Sequence, residues 1–215
     1  MTKSSAGSAL LTITDVSELG LAASEAGNAR LAERILLPAL NVRGLEAGRV
    51  GAAAANAIPT VARASIDFRL VPDQTPEEVR RLVEQHFVGL GWHLLHEEPD
   101  LATRLAHPKL LRLDWEGGYR AVRTPLDLPL SRAVLAVASH AAGEKVLAVP
   151  MLGGSLPLYH FEDVLHAPLV IVPIVNHDNN QHAANENLRL ANLWQGIDLF
   201  AALLAELGGA WEGSP

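Results

Sequence analysis

The chain has 215 residues, of which 49% are hydrophobic and 19% are charged, so it is long enough and apolar enough to bury a core. Its formal net charge of −7 argues against a nucleic-acid partner, because phosphate binding needs concentrated lysine and arginine. It contains no cysteine, which excludes disulfides and leaves His, Asp, Glu or water as the ligands of any bound metal.

The sequence predicts neither a signal peptide nor a membrane span. The apolar stretch over residues 9–11 is too short for a signal-peptide core, and longer apolar runs contain Asp, Glu or His within a few residues. We therefore expect a soluble, cytoplasmic protein without a membrane partner, and the absence of cysteine fits a reducing compartment.

Residues 1–35 are rich in Ala, Ser and Gly and predict a loosely ordered lead-in, with a short helix around residues 28–35. Residues 38–44 predict a strand. In residues 60–71 apolar and polar side chains alternate with the period of a strand that buries one face. We therefore expect these strands to be antiparallel, with one side of their sheet exposed.

A helix with clear start and stop signals comes next. Thr75 is a candidate N-cap, Pro76 occupies the first helical position and Gly91 ends the pattern. Residues 92–96 predict another strand. The order strand, strand, helix, strand is most of a ferredoxin-like α+β sandwich, short of one helix and one strand at its start. We predict that residues 36–125 form this unit.

Residues 126–215 change to alternating helices and strands, which predicts an α/β unit. We expect helices over residues 131–142 and 156–165 and a short strand over residues 145–150. Residues 168–175 form a continuous apolar run, as expected of a strand covered on both faces. The long C-terminal helix has a predicted buried stripe, which consists of Leu188, Ala191, Trp194, Ile197, Phe200 and Leu204.

The strongest local signal is the polar segment 177–186, which follows the predicted buried strand. Loops at the carboxyl ends of such strands commonly bind ligands, and the imidazoles of His177 and His182 with the carboxylate of Asp178 suit zinc. The same residue types also form ordinary loops and caps, and Asn185 is a plausible N-cap of the last helix. Spacing alone leaves both interpretations open.

Two further segments have the chemistry of substrate contacts. The turn Gly153-Gly154-Ser155 lies between a predicted strand and a helix, where open backbone N–H groups can bind an anion. A tight turn with Ser155 as N-cap explains it equally well. Arg69, on the polar face of the alternating strand, can clamp a carboxylate or can simply be solvated. The sequence contains no Ser-His-Asp arrangement, phosphate loop or dinucleotide-binding motif.

Taken together, these motifs resemble a known family, the dinuclear zinc peptidases and amidohydrolases of the carnosinase, aminoacylase and glutamate carboxypeptidase kind (metallopeptidase family twenty). Segment 56–76 resembles the lid domain of that family. The turn over residues 153–157 resembles its substrate loop, and the loop around His182 resembles its last metal-binding motif. The resemblance runs in the same order from about residue 36 to residue 207.

The resemblance implies that His182 is a ligand of one of two zinc ions. Arg69 and Asn56 would reach the substrate carboxylate, whereas His177 and Asp178 match less closely and His177 would orient the loop. The residues expected against the substrate backbone are Gly153, Gly154 and Ser155. The implied substrate is a small peptide or N-acyl amino acid, and the lid unit implies a homodimer.

Most of the family's metal site has no counterpart in this sequence. Its bridging carboxylate, its His-x-Asp motif and its Glu-Glu pair come from an N-terminal segment, and here no His-x-Asp occurs and no Glu-Glu stands in a matching context. The lid's catalytic histidine is absent as well. Because stable zinc sites need three or four protein ligands, we expect this chain alone not to retain the two zinc ions, to carry no catalytic residue and to be inactive or nearly so.

Three hypotheses follow. In the first, the chain is the C-terminal part of a zinc peptidase or amidohydrolase, split or truncated, and its α/β part exposes an apolar face where the N-terminal segment packs. In the second, it is a non-catalytic module that keeps the lid for dimerisation and binds no zinc. In the third, His177, Asp178 and His182 build a metal site of their own, within one chain or across two.

Overall fold

The computed structural model describes residue 22 and residues 31–211. The predicted lead-in over residues 1–35 therefore lies largely outside the described residues. Within them, a single-turn helix, α1, spans Leu31–Arg34, where the sequence predicts a short helix.

The described chain forms two compact units. The first, called here the hairpin unit, comprises Leu37–Val122 and Ser155–Tyr159. The second, called the helical unit, comprises the other described residues, chiefly Arg123–Gly154 and those from His160 onward. The boundary that the sequence analysis sets between residues 125 and 126 stays a prediction.

A long antiparallel strand pair begins the hairpin unit. Strand β1 spans Ala39–Ala47 and strand β2 spans Ala62–Arg69, with a short 3₁₀ turn at Gly51–Ala53 between them. Both predicted strands are thus confirmed, and β1 runs three residues further than its pattern indicated, to Ala47 rather than to residue 44.

A β-bulge keeps the apolar side chains of β1 on one face. Val42 pairs with Ile66, but the pairing shifts between Val42 and Gly44, so that Leu45 pairs with Ala64. Because side chains alternate between faces with period two, one extra residue moves the odd-numbered Leu45 to the face of the even-numbered Val42. The alternation in β1 is broken at this bulge, which is why the sequence shows only its first half.

Helix α2 spans Pro76–Gly89 and has the predicted ends. The Thr75 hydroxyl accepts a hydrogen bond from the backbone N–H of Glu78, 3.1 Å away. At the other end the backbone of Gly91 adopts a left-handed conformation, with φ of 80°, which ends the helix and leads into the next strand. Every interaction that defines these ends lies within a few residues.

The hairpin unit also contains elements that the sequence did not reveal. Strand β3, His93–Leu95, is predicted, but helix α3, Leu101–Ala106, and strand β4, Leu110–Arg112, are not. β3 and β4 pair in parallel, apart from the β1–β2 sheet, so the described strands form two separate two-stranded sheets. β4 is too short to show an alternating pattern and α3 has less than two turns, whereas β3 is found because an apolar run follows directly after the end of α2.

The helical unit is built on two packed helices. Helix α4 spans Pro129–Ala142 and helix α6 spans Leu190–Ala210, with the short helix α5, Tyr159–Leu165, between them in sequence. The core of the unit lies between α4 and α6; its members are Val134, Val137 and Leu203, with Leu130, Val172, Leu199, Ala202 and Leu207 packed around them.

The predicted buried stripe of α6 is wrong. Leu204 is 88% exposed and Trp194 is 60% exposed, whereas Leu203 is only 8% exposed. The helix has a second apolar side, which includes Leu199, Leu203 and Leu207 and packs on α4. Where two sides of one helix are both apolar, periodicity alone cannot choose which of them is buried.

Two predicted strands of the helical unit are also absent from the described residues. Neither segment 145–150 nor segment 168–175 forms a strand ladder, and Val170 and Ile171 are exposed rather than covered on both faces. The backbone of segment 168–175 forms hydrogen bonds with side chains rather than with another strand. The Thr124 hydroxyl accepts from Leu169 N at 3.0 Å, and Asn192 Nδ2 donates to Ile174 O at 3.2 Å. A strand ladder requires a neighbouring strand, and none of the described residues supplies one here.

Helix α6 is also the one helix among the described residues that is long and apolar enough to cross a membrane. This is weak evidence for a membrane location, because helices of globular proteins meet the same criterion. One side of α6 packs against α4 through Leu203, as in a globular core.

Candidate functional site

His182 lies at an exposed position in the loop between segment 168–175 and α6. Its backbone has φ of 64°, and Asn180 and Asn185 on either side of it are also left-handed. Two backbone hydrogen bonds of 2.9 Å shape the loop: Ala183 N donates to Asn180 O in a turn, and Asn187 N donates to Asn179 O across the loop. Asparagine tolerates this backbone region better than most residues, which accounts for the asparagine-rich sequence.

The loop does not cap the following helix. α6 begins at Leu190 with Arg189 in the cap position and no side-chain cap, so the alternative that makes Asn185 an N-cap is wrong. The Arg189 guanidinium instead pairs with the Asp178 carboxylate. The pKa of Asp178 lies below its ordinary value, chiefly because the Asn176 side chain donates a hydrogen bond to it, with a smaller contribution from the charge of Arg189.

The chemistry of this loop does not by itself fit a zinc site. The described residues contain no group of three or more His, Asp or Glu side chains placed to hold a metal ion. The third hypothesis, a site built from His177, Asp178 and His182, is therefore not met within one chain. One exposed imidazole falls short of the three or four protein ligands that hold zinc stably.

In the hairpin unit the structure brings two predicted substrate contacts together. The Arg69 guanidinium at the end of β2 donates to the Ser155 hydroxyl. It also forms an ion pair with Asp67, with Nε and Oδ2 2.6 Å apart. Asp67 and Arg69 are two positions apart on one strand and so share a face, a signal that sequence reasoning missed. The arrangement orients a half-exposed guanidinium, the group that binds carboxylates in two-point contacts.

The neighbouring residues do less to position the other predicted substrate contacts. Asn56 is exposed in the connection between β1 and β2. Neither Gly153 nor Gly154 has a positive φ, and a Cβ atom added at Gly153 would meet nothing within 4 Å. Ser155 does not cap α5, because that helix begins at Tyr159. The interpretation of Ser155 as an N-cap is therefore wrong, whereas the contact of this turn with a substrate stays a prediction.

An aromatic contact fixes β2 on helix α2. The rings of Phe68 and Trp115 stack with centroids 6.3 Å apart, and Trp115 Nε1 donates to Glu84 Oε1 at 3.1 Å. Arg80 bonds to the same carboxylate oxygen at 2.8 Å. The pKa of Glu84 lies below its ordinary value, chiefly because of the Arg80 hydrogen bond. These contacts hold the strand that carries Asp67 and Arg69.

Comparison with known proteins places the hairpin strands in a described domain. Residues 13–89 match the family model M20_dimer, the peptidase dimerisation domain. This match begins upstream of the described residues and ends at the end of α2.

A curated relative matches most of the chain. Over 178 residues the chain is 26% identical to the Cys-Gly metallodipeptidase dug1 of Schizosaccharomyces pombe. The alignment covers 82% of this chain but 35% of that protein, so the chain spans about a third of the relative's length.

Solved structures share the fold. An M20 family metallo-carboxypeptidase from Sulfolobus solfataricus superposes with a TM-score of 0.70 at 24% identity, covering 91% of this chain and 42% of that one. The dipeptidase Dug1p from Saccharomyces cerevisiae superposes with a TM-score of 0.61 at 21% identity, covering 95% and 40%.

The chain is therefore homologous to metallopeptidases, and its fold is a mixture of α and β elements found in them. Residues 13–89 match the M20 peptidase dimerisation domain, and this match together with the homology to dug1 confirms the resemblance to these peptidases.

Proposed function

We propose that these 215 residues are the C-terminal part of a zinc-dependent peptidase or amidohydrolase that cleaves the amide bond of a small peptide or N-acyl amino acid. The observation that supports this most strongly is the outer side of α6, which is apolar and uncovered at Trp194, Ile197 and Leu204. Contiguous exposed apolar surface commonly marks a place where another protein segment packs. We take that segment to correspond to the part of the curated relative that this chain leaves unmatched.

In this proposal the chain supplies three kinds of contact. His182 is a ligand shared with acidic groups outside the chain. Arg69, oriented by Asp67, receives a substrate carboxylate together with Asn56, and the turn formed by Gly153, Gly154 and Ser155 contacts the substrate backbone. The described residues do not fit a zinc ion alone, so no step of the hydrolysis is assigned to them. The proposed location is the cytoplasm.

An activity assay in two parts tests this function. The purified chain is incubated with zinc and the dipeptide Cys-Gly, first alone and then co-expressed with the segment of dug1 that lies outside the match. We expect no hydrolysis alone and chelator-sensitive hydrolysis with the added segment. His182→Ala should abolish that activity, whereas the exposed His166→Ala should retain it. Hydrolysis by the chain alone, lost on adding chelator, would contradict the proposal.

A homodimer through the hairpin unit is the proposed assembly, as the match to a dimerisation domain suggests. The apolar face of the hairpin supports it, because Val42 and Leu45 are exposed and a second copy would cover them. Sedimentation equilibrium of Val42→Glu should show a monomer, and Asn41→Glu, on the opposite face of β1, should leave the dimer intact. A monomeric wild-type chain would count against this assembly.

The second hypothesis, a non-catalytic dimerisation module, is favoured by the same domain match. The two hypotheses differ in whether the outer side of α6 needs a further protein segment to cover it. A module complete in itself should sediment as a stable dimer, contain no zinc by metal analysis and gain no activity from the added segment. Gain of zinc-dependent activity on co-expression would exclude it.

A further inference from the structure

Asn176 is an unusual side chain in this protein, because it is polar and only 4% exposed. It lies where segment 168–175 leaves the core and the His182 loop begins. Its Nδ2 donates to Asp178 Oδ1 at 2.8 Å and to Asn187 Oδ1 at 3.1 Å, and its Oδ1 accepts from Arg189 N at 3.0 Å. Each of its polar atoms is thus paired, as a buried amide requires.

These bonds join the two ends of the loop. Asp178 lies at its beginning, whereas Asn187 and Arg189 lie at its end, so one buried amide closes a loop of more than ten residues. Asn187 continues the network outward, because its Nδ2 donates to Asn185 O at 3.0 Å and its backbone N–H donates to Asn179 O. His182 stands between the two halves that this network connects.

We infer that Asn176 is a positioning residue that sets the backbone of the loop carrying His182, before any metal or partner segment is present. The inference deepens the proposed function and rests on it for the role of His182. A loop closed through a buried amide loses little conformational freedom when a ligand binds, and groups behind metal ligands commonly govern how well those ligands bind.

The first test needs no metal. In the 215-residue chain, Asn176→Ala should make the amides of Ala183 and Asn187 exchange with solvent roughly tenfold faster or more, measured relative to amides of α4 in the same sample. Thr124→Val is the matched control, because it removes a hydroxyl of the same unit that bonds to Leu169 N and O, before the loop begins, and it nearly keeps the size of the side chain. It should leave the loop amides unchanged relative to α4.

An isosteric variant separates positioning from general packing. Asn176→Asp keeps the size of the side chain and an oxygen that can accept from Arg189 N, but it removes the Nδ2 that donates to Asp178 and Asn187. Its loop amides should therefore exchange at least as fast as those of Asn176→Ala. Unchanged loop exchange in Asn176→Ala, wild-type loop exchange in Asn176→Asp or an equal increase in Thr124→Val would each overturn the inference.

The second test addresses His182. Zinc chloride is titrated into the chain co-expressed with the dug1 segment of the activity assay, which is proposed to supply the other ligands, while the ¹⁵N signals of the histidine rings of the chain are followed. The His182 signal should respond in the wild type, and Asn176→Ala should weaken that response by roughly tenfold. A wild-type His182 that ignores zinc would contradict its proposed role as a ligand, while the exchange measurements decide separately whether Asn176 shapes the loop.

Discussion

Helices α2 and α6 show what this sequence encodes locally and what it does not. The ends of α2 follow from its own neighbours, a Thr75 cap and a left-handed Gly91, and both are predicted correctly. The packing of α6 is predicted on the wrong side, because two sides of the helix are apolar and the outer one has no cover among the described residues. Capping is decided within one turn, whereas burial is decided by a partner.

The largest expected effect compares two adjacent leucines on α6. Leu203→Ala should lower the free energy of unfolding by about 2–5 kcal/mol, because it opens a cavity beside Val134 and Val137. Leu204→Ala, a chemically identical change at an 88% exposed position, should change it by about 0.5 kcal/mol or less. Denaturant unfolding measures both, and equal losses would show that the outer side is covered.

A smaller effect is expected where α6 meets segment 168–175. A Cβ atom at Gly196 would lie 2.8 Å from Ile174 Cδ1 and 2.9 Å from Ile174 Cβ. Gly196→Ala should therefore destabilise the chain by about 1–3 kcal/mol through overpacking. Gly208→Ala on the same helix meets nothing within 4 Å and should stabilise it by about 0.5–1 kcal/mol. Calorimetry of the two variants shows which change stabilises the chain and which destabilises it. Stabilisation by both would contradict the close approach of Gly196 to Ile174.

Removing the N-cap of α2 should change the free energy of unfolding by about the same amount or less. Thr75→Ala removes the hydroxyl that caps the N–H of Glu78 and should cost about 1 kcal/mol. Thr75→Ser, which keeps the hydroxyl, should cost much less. If the unfolding curves of Thr75→Ala and Thr75→Ser coincided, the cap would contribute nothing to the stability of the chain.

What the sequence predicts depends on the range of the interactions involved. The strands that alternate, the capped helix and the order of motifs around Arg69, Ser155 and His182 can be predicted, because each depends on a few neighbouring residues. The bulge in β1, the hydrogen bond between Arg69 and Ser155 and the buried amide of Asn176 cannot, because they appear only when distant segments meet. The prediction of strands over residues 145–150 and 168–175 is wrong for the same reason, because a β-ladder needs a partner strand.

The smallest effect is a pH response in the hairpin unit. Because the pKa of Glu84 is lowered in the folded chain, its bonds to Arg80 and Trp115 should be present above its ordinary value of 4.5 and lost as pH falls through its lower folded pKa. The indole N–H signal of Trp115 should shift with a midpoint below 4.5. Glu84→Gln should abolish that titration, and a midpoint at or above 4.5 would contradict the pairing.

The central claim is that the outer side of α6 is apolar and open in this chain, and collisional quenching of Trp194 tests it most directly. Replacing the other three tryptophans, Trp92, Trp115 and Trp211, by phenylalanine leaves Trp194 as the single emitter. Trp194 is 60% exposed, so acrylamide should quench it nearly as well as free tryptophan, and co-expression with the dug1 segment should protect it. Strong protection in the isolated chain, at a concentration where sedimentation shows a monomer, would mean that the chain already covers this face itself.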